Sequence, residues 1–382
     1  MKKHCLIMAM LLLAVTAAGC GTTEINKSSI PLGFGADFKN NQVIFTTQLA
    51  IPTSPEKNGG GGPQFIAQSA TGATVAEAAR RISLTSSQYP LWSHSSLMLW
   101  GEGLAQSDLS QFMDFVSRNR FVRKNIQVVV THKASVEEIF NTKPIATPYT
   151  ATAITDLLQT QETQLGIYTP ITLIQVIERF AEPGIEPVIP IITVKKAAQG
   201  NQLLLEHMAV FRDRRMVGIL TEKESRGYRF LSPRMIEGGL FTVPFPGQPD
   251  KKVTLEMSRS QAKIKPLIQG QNIVIRIEIS AEGNFYEQNS SGDLFTLTTF
   301  KKLEKLADQE ITSEINAAIS KAQSLNSDIF GWGKLIRQTD PELWKQIGPE
   351  WPQRFTDVQP EITVKYQLRR SYLRDKSFVF RE

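Results

Sequence analysis

The chain has 382 residues, 41% of them hydrophobic and 21% charged. That length allows two or three domains with their own cores, and that balance excludes a disordered chain. The net charge of +6 is too diffuse to point to nucleic acid.

Lys2, Lys3 and His4 precede an apolar run from Cys5 to Val15, which ends in Thr16-Ala17-Ala18-Gly19-Cys20. A basic start, an apolar run too short to span a bilayer and a small-residue end make an export signal. The cysteine at the junction makes it a lipoprotein signal. Residues 1–19 are expected to be cleaved after Gly19, with Ala17 in the place where Leu is usual, and Cys20 is expected to carry lipid. Ordinary secretion, with Cys20 incidental, is the alternative. Two or three acyl chains, at ~0.8 kcal/mol per buried methylene, hold a protein stably on a membrane. Losing Lys2 and Lys3 lowers the net charge by two and leaves a mildly basic body, which suits an anionic leaflet. Cys5 leaves with the leader, so Cys20 is the one mature cysteine and neither an internal disulfide nor a multi-cysteine metal site is possible. No later segment approaches ~18 consecutive apolar residues.

Residues 20–29 read as a polar tether. Leu32 to Asp37, a turn at Lys39-Asn40-Asn41 and Val43 to Ala50 read as a β-hairpin. Gly33-x-Gly35 lacks the third glycine and the helix start of a dinucleotide fingerprint, so it reads as strand packing. Thr53 to Gln64, with four successive glycines, is a loop. Thr74-x-x-Glu77 and Ser135-x-x-Glu138 are capping boxes, and Ser107-Asp108 caps a helix between them. Ser93 to Trp100 and Ile126 to Val130 read as strands. Thr152 to Leu158 reads as a short helix. Thr169-Pro170 starts a further helix through Phe180, with Pro in its first turn. Prolines 183, 187 and 190 break the chain before a strand at Ile191–Val194, and the polar stretch Ala197 to Gln202 reads as the main domain boundary.

Beyond it, Leu203–Val210 and Met216–Leu220 form a second hairpin, and Phe241 to Pro249 is a Pro/Gly loop. Val253 to Ile264 holds alternating strand pieces stopped by Pro266. Ile273, Ile275, Ile277 and Ile279 alternate strictly with other residues, as do Ile362, Val364, Tyr366 and Leu368, which is the period of a strand with one apolar face. Between them runs a long amphipathic helix from Thr298, with Leu303, Leu306, Ile311, Ile315, Ala318, Ala322 and Leu325 at helical spacing. It ends in Asp328-Ile329-Phe330-Gly331-Trp332-Gly333, followed by Trp344 and Trp351. The expected fold is α+β, in two to three domains, each a mixed sheet flanked by helices. The first domain is 30–198 and the second 203–382, with a division of the second into 203–268 and 269–382 left open.

Chemistry is sparse. His94, His132 and His207 have no second His or Cys at ligand spacing, and no nucleophile elbow or phosphate loop occurs. No metal and no cofactor is expected. The basic cluster Arg369, Arg370, Arg374 and Lys376 is a solvated edge or a contact with head groups or a partner. The Trp332/Trp344/Trp351 group is a core clamp or a binding surface.

Cys20 with Glu24-Ile25-Asn26, Gly33-x-Gly35-x-Asp37, and Ser93-His94 with Gly101-Glu102-x-Leu104-Ala105 follow one another along the chain. Ala134-x-x-x-Glu138-Ile139, Ala209-Val210-Phe211 with Val217-Gly218-x-Leu220, and Glu224-x-Arg226-Gly227 continue the series. Asp328-Ile329-Phe330-Gly331-x-Gly333 with Pro341-x-x-Trp344 and Trp351 completes it. In this order they resemble the Ger(x)C family, the lipoprotein C subunits of nutrient germinant receptors in endospore-forming bacteria. The resemblance spans essentially the whole mature chain. It departs from the family in Gly21-Thr22 after the lipidated cysteine and in Ser371-Tyr372 after the last strand.

The resemblance implies a non-enzymatic subunit on the outer face of the spore inner membrane. Its implied partners are a multi-spanning A subunit and a transporter-like B subunit. It implies no catalytic residue. The rival readings are a solute-binding lipoprotein of an importer, which needs a polar cleft between two similar lobes, and a cell-wall hydrolase, for which no site is offered.

Overall fold

A computed structural model describes residues 28–51, 64–198, 200–270, 272–289 and 296–371. Strand β1 (Ser28–Lys39) and strand β2 (Gln42–Ile51) form the expected hairpin, turning through Asn40 and Asn41, both at positive φ. Asparagine is enriched in that conformation because its short side chain tolerates it. β1 begins at Ser28, so Ser28 and Ser29, assigned to the tether, are buried strand residues. The glycine-rich loop before strand β3 (Gln64–Gly72) lies outside the described residues.

Helix α1 (Val75–Arg81) starts on Thr74, whose side chain accepts from the Glu77 amide. Strand β4 (Tyr89–Pro90) is brief, and strand β5 covers only Leu97–Trp100. Trp92 to His94 form a 3-10 turn instead of the start of that strand. Helices α2 (Glu102–Gln106) and α3 (Ser110–Arg118) lead to strand β6 (Gln127–Thr131). Helix α4 (Val136–Asn141) is capped by Ser135, and helix α5 runs over Thr150–Gln164, twice the expected length. Helix α6 is Leu173–Ala181, and its cap is the Thr172/Gln175 box. Thr169-Pro170 lie before it, because reciprocal capping by Thr172 sets the first turn more firmly than a proline does.

Strands β7 (Val188–Ala197), β8 (Gly200–Arg212) and β9 (Arg215–Leu220) follow. Among the described residues the first sheet has nine strands, in the order β3-β2-β1-β5-β6-β7-β8-β9 with β4 beside the start of β1. β1, β5, β6 and β7 are parallel, and antiparallel strands close both ends. β5 is buried on both faces, as a central parallel strand must be. Met98 and Trp100 join Phe34, Phe112, Val116 and Val176 on one face. Leu97 and Leu99 join Ile139, Phe140, Ile154 and Leu158 on the other.

The polar turn at Ala197–Gln202, expected to be a domain boundary, is a hairpin turn in which Ala197 pairs with Gly200. The sheet continues through it. β8 serves both halves: Ala209 and Phe211 point into the first core, Met208 and Val210 into the second. A period of two shows that a segment is a strand but not which sheet it joins.

Helix α7 (Glu222–Phe230) leads to strands β10 (Ile236–Glu237), β11 (Leu240–Phe245), β12 (Gln248–Gln269) and β13 (Asn272–Gln288). The stretch read as a Pro/Gly loop is thus the β11–β12 hairpin, turning at Gly247. β12 is one strand through Pro266, which pairs with Ile275. It is an edge strand there, since β10 and β11 cover it only as far as Ser260, and an open edge needs no amide from proline.

Helix α8 (Leu297–Ser324) spans 28 residues, about 42 Å. Helices α9 (Trp332–Thr339), α10 (Pro341–Ile347) and α11 (Trp351–Phe355) precede strand β14 (Gln359–Ser371), which runs parallel to β13. Leu303, Ala307, Ile311, Ile315, Ala318, Ile319 and Ala322 of α8 are buried against the second sheet. Both sheets are mixed and flanked by helices, which is the expected α+β class.

α7 lies across α8 with Gly227 at the contact. A Cβ there would overlap the Glu314 carbonyl oxygen. Beside it Arg226 makes a 2.7 Å ion pair with Glu314, which is 1% exposed. Burial pushes the Glu314 carboxyl up, and the Arg226 guanidinium opposes the push. Helix propensity alone would favour Ala over Gly by ~1 kcal/mol. Gly227→Ala is nonetheless expected to destabilise the chain by about 2 kcal/mol through overpacking. Urea unfolding reads this directly, and a raised midpoint would contradict the close approach.

Candidate functional site

The corner after α8 gathers Asp328, Phe330, Gly331, Trp332, Gly333, Trp344 and Trp351. Gly19 and Cys20 lie outside the described residues. Asp328, 4% exposed, puts its carboxylate under the first turn of α9. Oδ1 accepts from the amides of Gly331 (2.8 Å) and Trp332 (3.1 Å). Oδ2 accepts from the Gly333 amide (2.7 Å) and from Trp351 Nε1 (2.9 Å). Gly331 stands at φ +76°, where glycine carries no Cβ penalty. A Cβ on Gly333 would come within 2.5 Å of Trp351 Nε1 and 2.8 Å of the Gly184 Cα.

Aromatic rings close over the corner. Phe330 stacks on Trp332 at 5.2 Å, Trp332 meets Phe355 at 5.4 Å, and Trp344 meets Trp351 at 5.7 Å. Trp332 and Trp351 are buried, while Phe330 and Trp344 are half-buried.

The corner is held to the first half of the chain by a strap, residues 182–187, that composition showed only as a proline cluster. The Lys334 amide donates to the Gly184 carbonyl at 3.0 Å, and the Glu186 amide donates to the Asp328 carbonyl at 2.9 Å. Arg179 Nη1 donates to the carbonyls of Glu186 and Ile329 and to the Tyr228 hydroxyl. Arg337 pairs with Glu182, Ser327 Oγ donates to the Phe211 carbonyl, and Arg212 donates to the Leu325 carbonyl. The Arg179–Ile329, Arg212–Leu325, Ser327–Phe211 and Arg337–Glu182 pairs are 113 to 155 residues apart, which hides them from any periodic pattern. The signal available in sequence was the pair of strap residues Gly184 and Glu186 flanked by prolines.

Burial pushes the Asp328 carboxyl up to about 6, with the four N–H donors opposing it. Burial likewise pushes Glu186 up to about 7, aided by the nearby Asp213 and Asp328 charges. These two acids border a cleft of about 260 Å³. Its lining among the described residues holds no Ser, Thr, Cys, Lys or His to act as nucleophile or base partner. Each Asp328 oxygen already accepts two hydrogen bonds, so neither is open to a substrate. His94, His132 and His207 belong to no such cluster: among the described residues no three His, Cys, Asp or Glu gather as a metal site.

Other motifs serve as joints too. The Asp37 carboxylate accepts from the Val136 amide at the start of α4. Thr221 and Glu224 form the reciprocal cap of α7.

Comparison with known proteins is consistent along the chain. Residues 21–194 match the model described as spore germination protein N-terminal domain, and residues 206–372 match spore germination B3/GerAC like, C-terminal. The chain belongs to the Ger(x)C family. Relatives of this Ger(x)C protein include spore germination protein KC of Bacillus subtilis (strain 168), 24% identical with 98% of each chain covered. Spore germination protein B3 of the same organism is 20% identical, covering 96% of this chain and 98% of its own. A crystal structure of the GerBC protein superposes with a TM-score of 0.56 at 16% identity, covering 88% of this chain and 96% of that one. That likeness shows a shared fold.

Two substitutions probe the corner. Asp328→Asn turns one acceptor pair into an NH2 group facing two donors, and is expected to cost about 3 kcal/mol in denaturant unfolding. An unchanged midpoint would contradict the four-donor geometry. In the fold Glu186 keeps its proton up to about 7, whereas an unfolded carboxyl releases it in the usual carboxylate range. Its ionisation therefore weakens the fold above pH 7, and the loss disappears as pH falls toward 4.5. Glu186→Gln is expected to stabilise the chain at pH 8, by up to about 3 kcal/mol, and to leave it unchanged near pH 4.5. A stability difference independent of pH would contradict this.

Proposed function

We propose that this Ger(x)C protein is a non-enzymatic subunit of a spore nutrient germinant receptor, needed for nutrient-triggered germination. Its anchor is lipid on Cys20, its place the outer face of the spore inner membrane, and its partners the multi-spanning A and B subunits. The observation that carries this reading is the succession of two spore-germination domains, 21–194 and 206–372, and the N-terminal stretch that reads as a lipoprotein signal supports it. Two features are compatible with it. No helix among the described residues is long and apolar enough to cross a membrane. The buried acid of the corner, Asp328, is saturated by structural donors.

In this reading lipid fixes the orientation and the two sheets present a rigid body to the membrane subunits. A ligand-driven change in those subunits then passes through the contact. The rival solute-binding lipoprotein needs two similar lobes, and the two sheets differ in size and strand order.

Cys20→Ala is expected to move the protein from the membrane to the soluble fraction and to impair nutrient-triggered germination. Fractionation of spores followed by immunoblotting, with germination scored by loss of optical density, reads both. Unchanged membrane association together with unchanged germination would sink the anchoring claim.

A further inference from the structure

A cavity of about 860 Å³ lies between the β1–β2 hairpin and α1, away from the Asp328 corner. Its floor is aromatic. Phe34 stacks on Phe45 at 5.7 Å, and Trp92 meets both edge-on at 5.6 and 5.4 Å. Phe45 and Leu49 line it four residues apart on β2, a separation of about 13 Å at ~3.3 Å per residue. Ala76 and Ala79 of α1 face it with small side chains and keep it open. The volume is within the roughly 300–1,000 Å³ of small-molecule sites.

The rest of the lining is mixed, with several Ser, Gln88 and Asn119 among the apolar residues, and two of its polar groups stand out. Ser29, 4% exposed, lines the cavity, and its Oγ has no hydrogen-bond partner among the described residues. A buried hydroxyl left unpaired is costly and calls for a partner. Arg80 lies at the mouth. Its neighbour Arg81 is paired with Glu77, but Arg80 has no ion-pair partner among the described residues. Among the described residues no Asp or Glu lines the cavity. An ammonium group would find no carboxylate to pair with among those residues, so the charged group this lining favours is an anion. The chemistry that fits is a long apolar body with a negative end.

The rim points to where such a body comes from. Tyr89 and Phe121 line the mouth and are 69% and 55% exposed. Tyr89 pairs with Ser28, the first described residue of β1. Ser28 is eight positions after Cys20, a span of at most about 29 Å. With lipid on Cys20, the mouth is held close to the bilayer surface. This last step rests on the anchor proposed above, whereas the chemistry of the cavity does not.

We propose that this cavity is a binding site for one acyl chain carrying an anionic head group. The chain lies along Phe34, Phe45 and Leu49, and the head pairs with Arg80. The same chemistry is offered by a free fatty acid and by an anionic phospholipid of the membrane.

The test uses the mature chain, residues 20–382, carrying Cys20→Ala, so that lipidation has no influence on the result. Titration with cis-parinaric acid, a fluorescent fatty acid, is expected to show saturable binding of one molecule per chain, displaced by palmitate. Ala79→Trp fills the cavity and is expected to weaken binding at least tenfold. Arg80→Glu is expected to weaken binding of the acid at least tenfold and that of the matching fatty alcohol less than twofold. Transfer of a labelled chain from phosphatidylglycerol vesicles would make the bilayer the source, and uptake of the free acid alone would make it a soluble amphiphile. Absence of saturable binding overturns the proposal. So does unchanged binding by an Ala79→Trp chain that retains the parent circular dichroism. Should that variant fail to fold, Arg80→Glu, on an exposed side chain, decides: equal effects on acid and alcohol overturn the assignment. Loss of the Cys20 anchor in spores would leave all of these results standing.

Discussion

The structure depends on one buried carboxylate. Asp328 collects three successive amides and an indole N–H, and so sets the exit angle of the chain from the long helix α8 into α9. A charge in that position is tolerable only because every lone pair has a donor. The same residue lends its carbonyl to the strap from the first half of the chain. Fixing Asp328 therefore fixes the long helix, the aromatic cap and the junction between the two sheets together.

The junction explains why the two halves form one body although each has its own sheet. β8 sends alternate side chains into two cores, and Gly184 meets Gly333 backbone to backbone. Such contacts tolerate little sliding, since the glycines leave no side chain to adjust. The motifs that carry the family resemblance sit at joints of this kind: Asp37 at the start of α4, Gly227 against α8, Asp328 under α9. A chain whose recognisable residues are spent on joints is suited to transmit a displacement, and the germination role shared by its relatives is consistent with that.

Local pattern made much of the fold legible. The strict alternation of Ile273 to Ile279, the helical spacing from Leu303 to Ala322, and the caps at Thr74 and Ser135 each became the element they suggested. What local pattern could not show was allegiance. Leu203 to Leu220 alternates as a hairpin in either sheet, and only the tertiary fold shows that it closes the first. Pro266 reads as a strand stop unless one knows that its strand is an edge. In the candidate site, the tryptophans and glycines after Asp328 were visible as a cluster, but the strap at Gly184 and Glu186 was not, because it meets them across about 150 residues. The cavity over Phe34 was equally hidden. It exists because two alanines of α1 are small, and small residues leave no mark on a hydrophobic pattern.

Native-state hydrogen exchange tests most directly whether the Asp328 corner joins the halves into one cooperative body. The amides of Gly331 and Gly333, of Glu186, and of the buried strands β6 and β13 are expected to exchange with one common free energy of opening. A first sheet that opens at a clearly lower free energy than the second, with the corner amides exchanging independently of both, would contradict it.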